Sequence, residues 1–207
     1  MLRWEIDTED ERTLDNWVQK LNLTCESRQK IGWIGSAIFF GWITTLLVLP
    51  RLADLYGRIL IWRIGLCVQL LAFSIAMVTE SIDVMIAAMM LVGASATARV
   101  QVSFMVLLEN LPSNKHAVFG STIFVVETLI GISSVTYFTF ISKNWFWLVL
   151  VGYIMEAIAT VGSFLISETP KYLMKAGRTA DFEVLLKRIA GWNGVPQVAG
   201  GEYGVDI

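Results

Sequence analysis

Five stretches of this chain leave little choice of solvent. The first, IGWIGSAIFFGWITTLLVL at 31–49, runs 19 residues without a charge. At about 1.5 Å rise per residue that is enough to cross the roughly 30 Å hydrocarbon core of a bilayer. Similar runs follow at 59–78, 84–108, 117–141 and 146–166. Each is apolar around its whole circumference, as in a helix that meets lipid on one side and other helices on the rest. Hydrocarbon offers the backbone no hydrogen-bond partner, so spanning segments of this kind fold as helices. The expectation is an all-α polytopic membrane protein whose five transmembrane helices occupy residues 31–166.

The remaining residues divide around that bundle. Residues 1–30 are polar and mixed in charge, 167–190 read as a surface helix, and the glycine-rich 191–207 read as a flexible tail. Only 16% of the 207 residues are charged and the net charge is −2. No basic face invites nucleic acid. Cys25 lies in a polar segment and Cys67 inside an apolar run, two environments that one bridge would have to join, so both are expected as free thiols. The opening MLRWEIDTEDERT is acidic and lacks an apolar core, so the first span is expected to direct membrane insertion. No metal-ligand cluster, nucleophile–base pair or phosphate loop stands out, and neither an enzyme nor a bound cofactor is expected.

Orientation follows the lysines and arginines. The face holding the first link, the 109–116 link and the C-terminal segment carries nine of them, against six on the other. That bias places the C-terminus in the cytoplasm and residues 1–30 outside. The tripeptide Asn22-Leu23-Thr24 is a glycosylation sequon and would then face the exterior. Trp33, Trp62, Trp145 and Trp147 fall at expected helix ends, where indole rings anchor to the interface.

Three ionisable residues interrupt the spans: Arg99, Glu127 and Glu156. Counting helical rise from the nearest ends puts all three roughly 13–15 Å deep, close to mid-bilayer. Intramembrane charges are costly and therefore suspects for function. Their common depth permits Arg99 to pair with Glu127 or Glu156, either as a substrate or proton-coupling site or as a structural ion pair. Small residues in GASATA (93–98) and GISS (131–134) point to close helix packing.

The first link is the most ordered polar segment. In LPRLADLYGRILIW (49–62), Pro50 is expected to close a helix, Asp54 and Arg58 stand four apart, and Gly57 permits a tight turn or close approach. RLADLYGR resembles the G-x-L-a-D-r-x-G-r-[RK] loop of the major facilitator superfamily, with Leu52, Ala53, Asp54, Gly57 and Arg58 matching. Pro50, Leu55 and Ile59 depart from it. ENLPSNKH (109–116) resembles the E-x-x-P-x-x-x-R-G segment of the sugar-porter and organic-ion branches through Glu109 and Pro112, with His116-Ala117 replacing Arg-Gly. SETPKYLMKAGR (167–178) resembles their P-E-S-P-R-W-L-x-x-x-G-R motif through Glu168, Pro170, Leu173, Gly177 and Arg178. NWVQKLNLTCE looks like the end of the long extracellular loop of organic-ion transporters.

The resemblance covers about residues 14 to 190 and places the five spans as the family's second to sixth helices. It implies one part of a secondary transporter that moves a small organic solute, a sugar or organic ion, by alternating access. A first helix and a second six-helix half would have to come from elsewhere in the same polypeptide or from another. By the same resemblance Asp54, Gly57, Arg58, Glu109, Glu168 and Arg178 would form an inner charge network, and the plasma membrane is the expected location. Met89 stands near where the family often carries an arginine. The alternative is a non-transporting structural or assembly subunit of a larger membrane complex, built on a degenerate transporter fold.

Overall fold

Ser27 starts the first long helix: its hydroxyl accepts from the Lys30 amide at 3.3 Å, satisfying one of the orphan donors of the first turn. In the computed structural model, which describes residues 16–192, all regular structure is helical. A short helix α1 (Trp17–Lys20) and a single turn at Leu23–Cys25 precede α2 (Arg28–Leu46). Then come α3 (Leu49–Tyr56), α4 (Arg58–Val78), α5 (Ile82–Asn110), α6 (Ser113–Ile141) and α7 (Trp145–Ser163). Two shorter helices follow, α8 (Pro170–Lys175) and α9 (Thr179–Trp192). Helices α4 to α7 are each long and apolar enough to cross a membrane; α2 with α3, bent by 43° at their junction, adds a fifth candidate when the pair is counted as one span.

Three local expectations change. Residues 49–56 are helical rather than an open link, because Pro50 sits in the first turn of α3. There its missing N–H costs nothing and its fixed φ favours the helix, so proline begins an element here as well as ending one. The expected surface helix at 167–190 is two helices, broken where Gly177 takes φ +68°. Gly191 and Trp192 complete α9, and the remainder of the expected tail lies outside the described residues.

Helix α5 is the centre of packing. It lies against α2 and α4 over a core of Ala37, Ala76, Met85, Ala88 and Met89. Gly41 and Gly93 let the backbones of α2 and α5 touch: a methyl on Gly41 would strike the Met90 carbonyl, and one on Gly93 the Ile38 carbonyl. Buried polar pairs join the same elements. Ser95 donates to Gln69, and the Thr45 and Thr97 hydroxyls bond at 2.9 Å. Helix α7 packs on α4 and adds Ser74–Tyr153 at 2.9 Å. By contrast α6 buries none of its residues, and Gly131 meets nothing within 4 Å.

Distant side chains cap α4 at both ends. Glu168 accepts from its first amides, and the Lys20 ammonium donates to the Ala76 and Met77 carbonyls at the last turn while lying 5.2 Å from the Trp145 ring centre. Each charge opposes the helix dipole at its own end.

Candidate functional site

The chain places two charged regions on the same scaffold, one at the end of the bundle where α3 meets α4 and one within the spans. At the first, Gly57 has φ +112°, a backbone state that other residues rarely adopt. A Cβ there would lie 2.6 Å from Glu168 Oε2. Glycine thus serves both turn and approach: it lets the carboxylate reach the Arg58 and Ile59 amides at 3.2 Å each. The Thr169 amide donates at 3.1 Å to Glu168 Oε1, the oxygen that accepts from those two amides. An ionised acceptor at a helix N-terminus gains from both charge assistance and dipole.

Arg58 is the hub. Its guanidinium pairs with Asp54 one turn earlier at 3.1 Å and with Glu109 at the end of α5. The Arg58 and Glu109 side chains are only 17% and 10% exposed, so this pair is shielded from water and each partner depends on the other. Tyr172 adds a bond from its hydroxyl to the Leu55 carbonyl at 3.3 Å. Asp54, Gly57, Arg58, Glu109 and Glu168 therefore meet in one clasp joining α3, α4, α5 and the segment after α7. Arg178 does not join it: it pairs with Asp181 at 2.7 Å on the exposed start of α9.

Arg63 belongs to the same junction and has no counterpart in the loop motif. Its guanidinium donates to the Ser163 carbonyl at 3.0 and 3.2 Å and to the Ile166 carbonyl at 2.7 Å, and lies 5.1 Å from the Phe164 ring centre. It satisfies the orphan carbonyls at the end of α7. Nothing local in the sequence marks it, because its partners lie about a hundred residues away.

The second region lies between α5 and α6. A π-helical turn at Thr97–Val102 interrupts α5, and Arg99 sits in it. A cavity of about 660 Å³ opens there, walled by Trp62, Arg99, Phe104, Phe124 and Glu127 among others. Arg99 and Glu127 thus share one cavity wall. Glu156 on α7 is not part of that wall. Among the described residues no ion pair joins Arg99 to either carboxylate, and Arg99 Nε and Glu156 Oε1 are buried without hydrogen-bond partners.

Elsewhere, Asn22 is exposed in a left-handed conformation at φ 49°. Cys25 and Cys67 are both free and exposed. His116 contacts the Leu111 carbonyl at 2.9 Å. Among the described residues no group of three or more metal-ligating side chains converges.

Comparison with known proteins follows the same lines. The sequence model of the family described as "Sugar (and other) transporter" matches residues 5–202. The chain is 23% identical over 199 residues to organic cation/carnitine transporter 2 of Homo sapiens, covering 90% of this chain and 36% of that protein. It is 24% identical over 186 residues to a solute carrier family 22 member 15-like protein of Xenopus laevis, covering 90% and 38%. To the probable plastidic glucose transporter 2 of Arabidopsis thaliana it is 26% identical over 162 residues, covering 75% and 32%. The chain spans about a third of the length of these curated relatives.

Proposed function

The chain belongs to the sugar (and other) transporter family, a family of transporters rather than enzymes, and from that membership we propose that it forms part of a secondary transporter for a small organic solute. In this reading α2 to α7 supply walls of one half of an alternating-access device, and further helices supply the rest. The clasp around Arg58 is the inner gate, and its face is cytoplasmic. Asn22 is then outside and open to glycosylation, and the plasma membrane is the home membrane, as for solute uptake at the cell surface.

The observation that carries the reading is the shielded Arg58–Glu109 pair held beside the Asp54 and Glu168 carboxylates. A gate needs contacts that are firm when made and separable as a unit. Charged pairs at the water boundary of a bundle fit that need, because each partner regains hydration when the gate opens. Arg63 and Glu168 tie the end of α7 to the start of α4, so the gate can move with a rigid pair of helices.

The test is uptake of labelled organic cations, zwitterions and glucose into cells producing the native polypeptide. Saturable uptake of at least one solute, reduced tenfold or so by Asp54→Asn or Arg58→Gln, is the expected outcome. Uptake indifferent to both substitutions would remove the gate from the account.

A second reading is a non-transporting subunit of a membrane complex. It draws on the exposed Leu55, standing where the loop motif has a basic residue, and on the unburied α6. It predicts that the chain co-purifies in mild detergent with larger partners and produces no uptake.

A further inference from the structure

We propose that α9 lies along the membrane surface and binds anionic lipid headgroups through Lys187 and Arg188, with Trp192 seated where those headgroups meet the acyl chains. The inference goes beyond the transport reading. It takes from that reading only that this face is cytoplasmic, the side on which anionic lipids concentrate.

Helix α9 is apolar on two sides and covered on one. Phe182, Leu185, Leu186, Ile189 and Ala190 recur at helical spacing and are half-buried, on a helix whose main packing partner is α8. The other side carries Val184, Arg188 and Trp192, four residues apart and so in one stripe. Val184 is 66% exposed and Trp192 75% exposed. Water has little to offer the ring of so open an indole. The boundary between headgroups and hydrocarbon suits it, since the ring meets the chains and the N–H meets the headgroups.

One contact fixes the depth of this stripe. The Arg188 guanidinium donates to the Ser167 hydroxyl at 3.2 Å, and Ser167 directly follows the apolar run that ends at Ile166. Arg188 is thereby held level with the end of a span, at the depth of lipid headgroups. Its guanidinium lies 5.4 Å from the Trp192 ring centre, which brings the indole to the same level. A basic side chain and an open indole at one depth, on a helix beside a span, form an interfacial anchor.

Charge selects the lipid. Lys187 and Arg188 form no ion pair among the described residues. The acids of α9, Asp181 and Glu183, stand toward its start, and Asp181 is held by Arg178 at 2.7 Å. Lys171 and Lys175 on α8 are exposed as well, so basic residues recur along the segment after the last span, as they do where anionic lipids are recognised. A phosphatidylcholine headgroup would bring a cation of its own to this face. Phosphatidylserine brings a net negative charge.

The test uses the native polypeptide in phosphatidylcholine vesicles. A minority lipid, either phosphatidylserine or phosphatidylcholine, carries bromine on its acyl chains near the headgroup. Bromine quenches indoles in contact with the lipid that bears it, and comparison with Trp192→Phe isolates the Trp192 signal. Trp192 should be quenched with about a fivefold preference for phosphatidylserine, the gain that one basic residue near a charged surface supplies. The preference should shrink at high salt. Lys187→Gln combined with Arg188→Gln should bring the two lipids within about twofold of each other, whereas Arg188→Lys, which keeps the charge, should retain the preference. A Trp192 quenched by neither lipid would overturn the proposal, because something other than lipid then covers this face. Equal quenching by both lipids, or a preference unchanged in the double variant, would overturn it too. Uptake does not enter this readout, so failure here leaves the transport reading standing, and failure of uptake leaves the lipid contact standing.

Discussion

Arg58 and Arg99 sit on adjacent helices of the same bundle under opposite conditions. Arg58 has Asp54 and Glu109 at ion-pair distance, and Glu168 holds the backbone beside it. Arg99 has an aromatic cavity and no ion pair among the described residues. The helices around them differ in the same sense. In the most apolar 18-residue window, 39% of α4 and 33% of α5 is buried, against none of α6. The first region is built to hold itself together, and the second holds a charge without an ion pair among the described residues. An arginine within a spanning segment costs about 3 kcal/mol on insertion scales when it lies at the helix centre.

The largest expected effect sharpens the paired side of this comparison. Glu109→Leu leaves Arg58 shielded with only its exposed Asp54 partner, and unfolding in mixed micelles should lose about 3 kcal/mol. Next is the packing contrast. Gly93→Leu drives a side chain into the Ile38 backbone and should cost about 2 kcal/mol by the same titration. Glu168→Gln weakens the cap on α4 and should cost about 1 kcal/mol, read as faster hydrogen exchange at the Arg58 and Ile59 amides. The smallest is Gly131→Leu, in open space on α6, which should stay within about 0.5 kcal/mol of wild type. A large loss there would erase the contrast between α5 and α6.

The two glycine substitutions also mark what the sequence could and could not disclose. GASATA and GISS read alike as small-residue packing faces. Gly93 of the first lies against Ile38, whereas Gly131 of the second touches nothing within 4 Å. Composition reports that a face can pack closely, not whether a partner is there. The spans themselves were legible because hydrocarbon imposes a length and a polarity on each helix. The meeting of Asp54, Glu109 and Glu168 around Arg58 was legible because those positions match ordered loop motifs. Arg63 was not, since its partners are the carbonyls closing α7. Pro50 misled because proline serves the first turn of a helix as readily as it ends one. The π-helical turn that carries Arg99 left no signal in the residue pattern at all.

One side-by-side measurement tests the contrast between the two arginines directly: the unfolding free energies of Arg58→Gln and Arg99→Gln, titrated in the same mixed micelles. Arg58→Gln should lose about 3 kcal/mol, because Glu109 is left shielded and unpaired. Arg99→Gln should gain about 1–2 kcal/mol, because it removes a charge that makes no ion pair among the described residues and whose Nε is buried without a hydrogen-bond partner. If Arg99→Gln instead destabilises as Arg58→Gln does, then Arg99 is a structural residue, and the division between a self-held clasp and a waiting cavity is wrong.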